Sequence, residues 1–111
     1  MKLWNTAISA IIAAGIAWLA AATIIFVGVL AYGGAHAANW VFSVLFYLIG
    51  GALLWRARIT YEAYMTTPDH PAMRQLMRSD ILFNLALLAS GIMLTAMAGY
   101  RVFIEDLAVF G

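Results

Sequence analysis

The sequence predicts an all-α integral membrane protein of three transmembrane helices, with the second and third helices extended into a cytoplasmic helical hairpin. Three observations predict it. Of the 111 residues, 66% are hydrophobic and only 10% are charged. Residues 3–55 contain no Asp, Glu, Lys or Arg, and a second charge-free run covers 81–100. A water-soluble domain carries about 45–50% apolar and about 25% charged residues. At a mean hydropathy of +0.95, this chain lacks the polar side chains needed to coat itself in water. The same composition excludes a disordered tail, the absence of Cys excludes a disulfide scaffold, and a net charge of +1 without a basic stripe excludes a nucleic-acid module.

A spanning helix needs roughly 20 apolar residues, so the first charge-free run holds two spans and the second holds one. The break inside the first run falls over 33–39, where Gly33 and Gly34 disfavour continued helix and His36 and Asn39 suit a surface turn. Residues 1–111 thus read as a single membrane domain. Its first span is about 6–32, its second about 39–56 and its third about 80–100, with a cytoplasmic hairpin over about 57–79 and an interfacial tail over 101–111.

Lys and Arg are retained on the cytoplasmic side. Arg56, Arg58, Arg74 and Arg78 all lie between the second and third spans, and Lys2 lies at the start. The expected orientation is therefore N-terminus cytoplasmic and C-terminus external, in a bacterial-type inner membrane crossed several times. Arg101 alone falls on the opposite side. Trp4, Tyr32, Trp40, Trp55 and Tyr100 fall near span ends, as amphipathic rings at headgroup depth should. Lys2, the apolar run and Ala35-His36-Ala37 also resemble a secretory signal with its cleavage site, and cleavage would leave a two-span product that resembles conjugative pilin subunits. Secretory apolar cores run about 7–15 residues, however, and 6–32 is long enough to span, so the segment reads as a retained helix.

The strong helix breakers between spans two and three cluster at Thr66-Thr67-Pro68-Asp69-His70-Pro71. Helix two is expected to continue to about Met65 and helix three to start near Asp69, with Thr67 or Asp69 as N-cap and a proline in the first turn. A turn centred there brings Glu62 near Arg74 and Arg56 or Arg58 near Asp80, while Arg78 adds to the basic face. Partly exposed pairs of this kind are worth about 0–1 kcal/mol each. They set register and balance charge. The plain reading is a solvated stalk; the functional one is a docking surface for a cytoplasmic domain or anionic headgroups.

Helices in lipid associate through close backbone approach at small residues and a few polar contacts. Helix one carries Ala10, Ala13, Ala14, Ala17 and Ala21; helix three carries Gly91, Thr95 and Gly99 at four-residue spacing. These are the expected packing positions, with Asn84 as an interhelical hydrogen bond one turn inside helix three. Three helices enclose little interior, and Trp18, Phe26, Phe42, Phe46, Tyr47 and Phe83 offer large contacts away from the span ends. A partner protein against one face is the expectation drawn from them.

Ionisable residues inside spans mark proton, ion or substrate paths, and the charge-free runs contain none. No nucleophile–base pair, metal cluster or phosphate loop appears in the sequence. Imidazole is the usual axial haem ligand, which makes His36 the one cofactor candidate. His36 and His70 are expected on opposite sides of the membrane, so they cannot clamp one haem, and the plain reading of each is a turn histidine. Glu105 and Asp106 adjoin each other in a tail that alternates apolar and charged residues, as a short interfacial helix would.

The expected function is that of a non-catalytic small subunit that packs into and stabilises a larger inner-membrane complex, of energy-transducing or secretion type. Its partners would be other membrane subunits and structural lipid, with a hetero-complex favoured over a homo-oligomer. No cofactor is expected of the chain alone. One alternative is an anchor that shares a quinone, haem or pigment site with a partner oxidoreductase through His36, Tyr47 or Arg56. Another is a homo-oligomeric pore, holin or pilin-like subunit, although the expected topology resembles three-span holins poorly.

Overall fold

The computed structural model describes residues 3–32, 36–66, 70–105, 107 and 109. They form α1 (Leu3–Tyr32), α2 (Ala37–Thr66) and α3 (Pro71–Gly99), the last continuing into a π-helical turn at Tyr100–Ile104. All three helices are long and apolar enough to cross a membrane. Each has 29 or 30 residues, or about 45 Å at about 1.5 Å per residue, against a hydrocarbon core about 30 Å thick. Lys2, Gly33, Gly34, Ala35, Thr67, Pro68, Asp69, Asp106 and Phe110, which carry several of the expectations above, lie outside the described residues, as does the Trp4 side chain.

The start of α3 differs from expectation. His70, rather than Thr67 or Asp69, is the N-cap: its backbone is extended (φ −148°, ψ 145°) and its side chain accepts from the Ala72 N–H at 3.1 Å. Pro71 is the cause. A proline disfavours helical geometry in the residue before it and is itself at home in the first helical turn, so the cap falls on position 70. The other end of α3 differs too. Of the described tail residues, 101–104 continue α3 as the π-helical turn, Glu105, Leu107 and Val109 are in bends, and Val109 packs against the core.

The arrangement centres on α1. The buried share of the most apolar window is 44% for α1, 28% for α2 and 17% for α3, and no Cα pair between α2 and α3 comes within 8 Å among the described residues. Helices α2 and α3 therefore make their close backbone approaches to α1 and meet each other only through side chains. On α2 the buried residues Asn39, Ser43, Phe46, Gly50, Leu53, Ala57 and Tyr64 keep a seven-residue rhythm, as do Asn84, Gly91 and Ala98 on α3. A 3.5-residue repeat is the seam of gently supercoiled helices. The facing side of α1 is fully buried at Ala7, Ile11, Ala14, Ala21 and Ala22, whereas Ile12, Ile16 and Leu30 lie on its open side.

Small residues set the two close seams. Against α2, a Cβ built on Gly50 would lie 2.9 Å from the Gly15 carbonyl oxygen, and one on Gly15 would lie 3.2 Å from the Gly50 oxygen. Against α3, a Cβ on Gly91 would lie 2.8 Å from the Ala17 Cβ. The third gap, between α2 and α3, is filled by bulk. Trp18 meets Phe46 edge-on with ring centroids 5.0 Å apart, Phe46 meets Phe42 at 5.8 Å, and Ile25 and Leu94 complete the cluster. Phe26 likewise meets Trp40 at 6.0 Å. Four of the six aromatics expected to greet a partner thus pack within the chain, and only Tyr47 and Phe83 are exposed. Aromatic pairs prefer such edge contacts, and here two of the three join α1 to α2 and the third lies along α2.

Candidate functional site

The described polar chemistry concentrates at one end of the bundle, where α2 leaves the apolar run. Arg56 and Tyr64 are eight residues apart on α2, or about 12 Å along the axis, and both reach across to Asp80 of α3. The Arg56 Nη2 donates to Asp80 Oδ1 at 2.5 Å and the Tyr64 hydroxyl donates to Asp80 Oδ2 at 2.5 Å, so both carboxylate oxygens are engaged. The Asp80 side chain is 17% exposed, the Arg56 side chain 43%. Tyr64 lies in the stretch that the sequence puts beyond the second span. Burial first, and then the hydrogen bond and charge of Asp80, raise its phenol above the ordinary range, so the hydroxyl stays protonated and donates. Since α2 and α3 share no close backbone approach, this cluster ties them directly at that end.

Asn84 adjoins the cluster, one turn along α3 from Asp80. It is fully buried, but its Nδ2 donates to the Asp80 carbonyl of its own helix at 2.8 Å, and its Oδ1 has no partner. The expected interhelical hydrogen bond is thus replaced by one to the preceding turn. A bond to the carbonyl one turn back satisfies the amide donor within the helix itself. The interhelical hydrogen bonds are made elsewhere. Trp18 Nε1 donates to the Leu87 carbonyl at 2.9 Å, Ser43 Oγ to Ala22 at 3.1 Å, and Thr95 Oγ1 to Ala17 at 3.1 Å.

Of the other expected charge pairs, Glu62 sits by Arg58 on its own helix at 3.6 Å, with both side chains mostly in solvent. Arg74 and Arg78 lie on the exposed side of α3. Of the packing positions, Ala10, Ala14, Ala21 and Gly91 are buried, and Ala17 and Thr95 are partly buried where α1 meets α3. Gly99 is different: a Cβ there would meet Ile24 at 3.8 Å, an ordinary contact. Gly15, Gly50, Tyr64 and Ser43 are functional in packing without belonging to any expected stripe.

His36 is exposed at the bend before α2, and its carbonyl accepts from the Asn39 backbone N–H at 3.1 Å and from its Nδ2 at 3.2 Å. Tyr47 hydrogen-bonds Thr23 at 2.8 Å. His36 and Arg56 are separated by about 30 Å of helix, so His36, Tyr47 and Arg56 do not converge on one cavity within the chain. Among the described residues, no three His, Cys, Asp or Glu side chains come together as metal ligands. Comparison with protein-family models, curated proteins and solved structures finds no match to this chain.

Proposed function

We propose that the chain is a multi-pass inner-membrane subunit without catalytic chemistry of its own, whose role is to pack into and stabilise a larger membrane complex. The Asp80 cluster is the observation that carries this reading. Asp80, at the border of the third span, has each carboxylate oxygen bonded by a partner in the same chain, an arrangement that ties helices together and gives the group a structural role. The surface agrees with it. Val41, Val44, Leu48, Trp55 and Ile59 on α2 and Leu82, Phe83, Ile92, Met93 and Met97 on α3 are all exposed, an apolar area that only lipid or other membrane helices can cover. The arginine end, which also holds the start of α1, is read as cytoplasmic and the His36 and Arg101 end as external. Purification of the tagged chain in gentle detergent is the test. Larger membrane chains recovered at a fixed ratio are expected; a monomer or homo-oligomer free of stoichiometric partners refutes the assembly role.

A further inference from the structure

Two open grooves on the arginine end of the bundle share a wall. One, of about 610 Å³, has Gly51 and Trp55 along its apolar length and Arg58 and Glu62 at its polar end. The other, of about 420 Å³, runs between Ile8 and Ile12 of α1 and Ala57 of α2. Leu54 and Arg58 line both, so Leu54 is a ridge with an apolar channel on each side, and one guanidinium stands at the head of both channels. At Gly51 a Cβ would meet nothing within 4 Å; the glycine makes no internal close approach and instead leaves a notch in the floor of the larger groove. Arg58 is 85% exposed and Glu62, one helical turn further from the apolar run, is 66% exposed; the two pair loosely with each other at 3.6 Å, a contact that a zwitterionic headgroup would replace with one partner for each.

We infer that this face binds one diacyl phospholipid with a primary-ammonium headgroup, its two acyl chains straddling Leu54, its phosphate on Arg58 and its ammonium on Glu62. Along α2 the order is apolar notch, indole, guanidinium, carboxylate. That is the order of acyl chain, glycerol backbone, phosphate and amine in such a lipid. Arginine suits phosphate because its donors form a planar fork, and Trp55, 72% exposed, lies where indoles favour the headgroup boundary. An anionic lipid without an amine would leave Glu62 facing the phosphate. A choline headgroup would bring charge to it without an N–H to donate.

The inference rests on the membrane reading but not on the assembly role, so the test uses the isolated full-length chain. The protein is reconstituted in nanodiscs of equimolar phosphatidylethanolamine, phosphatidylglycerol and phosphatidylcholine, released into mild detergent, and the lipid it retains is measured by native mass spectrometry. One phosphatidylethanolamine per chain is expected. Arg58→Gln should lower its retention by about tenfold, the worth of one charge-assisted hydrogen bond, and Glu62→Gln should remove the preference over the other two headgroups while lipid is still retained. Gly51→Leu, which fills the notch from open space, should lower retention of every lipid. Arg78→Gln, on α3, should change nothing. Equal retention of the three lipids by the unaltered chain, or a preference that survives Glu62→Gln, overturns the headgroup assignment. Retention indifferent to Arg58→Gln and Gly51→Leu, or a second copy of the chain in place of lipid, overturns the site. Failure of the chain to enter nanodiscs would count instead against the membrane reading itself.

Discussion

Gly50 and Gly51 are neighbours in sequence and opposites in environment, and alanine at each separates two effects that are usually confounded. A Cβ at Gly50 would lie 2.6 Å from Leu19 Cγ, 2.7 Å from Leu19 Cδ2 and 2.9 Å from the Gly15 carbonyl oxygen. Leu19 can rotate out of the way, but the backbone oxygen cannot, so α1 must back away from α2. Overpacking of this kind costs about 1–3 kcal/mol. Alanine recovers about 0.5–1 kcal/mol of the conformational entropy that glycine loses in a helix, leaving Gly50→Ala destabilised by up to about 2.5 kcal/mol. At Gly51 nothing lies within 4 Å, so only the entropic gain remains, and Gly51→Ala should be stabilised by up to about 1 kcal/mol. Reversible unfolding in mixed micelles with rising dodecyl sulfate, followed by far-ultraviolet circular dichroism, reads both midpoints against the unaltered chain. Equal shifts, or a greater loss at Gly51, would refute the seam between α1 and α2.

The same contrast applies on α3. Gly91→Ala should cost up to about 2.5 kcal/mol after the same entropic gain, because its Cβ would lie 2.8 Å from that of Ala17, whereas Gly99→Ala, whose Cβ meets only ordinary contacts, should be stabilised by up to about 1 kcal/mol in the same unfolding assay. Tyr64→Phe should lose about 0.5–1.5 kcal/mol and Asp80→Asn more, since it also removes the charge paired with Arg56; the double variant should lose less than the two together, because both single variants perturb the Tyr64–Asp80 bond, and strict additivity would mean that the pair is not coupled. Asn84→Leu should be neutral or stabilising, because the substitution removes an acceptor buried without a partner; a large loss would show that the Oδ1 has one. The chain has no cysteine, so Gln75→Cys supplies a unique thiol on the exposed side of α3. In sealed cells it should resist an impermeant maleimide and react after lysis, and labelling from outside would invert the orientation.

The helices were legible because lipid leaves hydropathy and charge as nearly the whole signal: two charge-free runs and a paired-glycine break yield three long helices. What the runs do not carry is which pair of helices touches. Register counted outward from the turn after Thr66 places Arg56 opposite Asp80, and the two do meet, yet only through long side chains. Counted outward from Tyr32 and Gly33 instead, the same arithmetic sets Gly15 opposite Gly50 and Ala22 opposite Ser43, the tight antiparallel seam. The small-residue stripes mark α1 and α3, but Gly50 has too few small neighbours on α2 to stand out from Gly51. Asn84 could not be read correctly from its type alone, because an amide can bond across to a neighbouring helix or back to its own preceding turn, and here it bonds back.

The packing divides the chain's surfaces by purpose. On α1, Ala17 meets Gly91 and Gly15 meets Gly50 at distances that admit no larger side chain, so the interior seams are intolerant of change. Helices α2 and α3 are linked in the middle through Trp18 of α1, which meets Phe46 of α2 and donates to the Leu87 carbonyl of α3, and at the arginine end by Asp80 with its two donors. Trp18, Phe42 and Phe46 pack inward, which leaves α2 and α3 facing outward mainly with aliphatic and methionine side chains. Such faces carry little directional chemistry of their own. A partner can then be specified only where polar groups reach the surface, and along α2 the first such place beyond the apolar run is the rim formed by Trp55, Arg58 and Glu62. Lipid bound there would also cover the mouth of the groove between α1 and α2, which joins the fold's most exacting seam to its most adaptable surface.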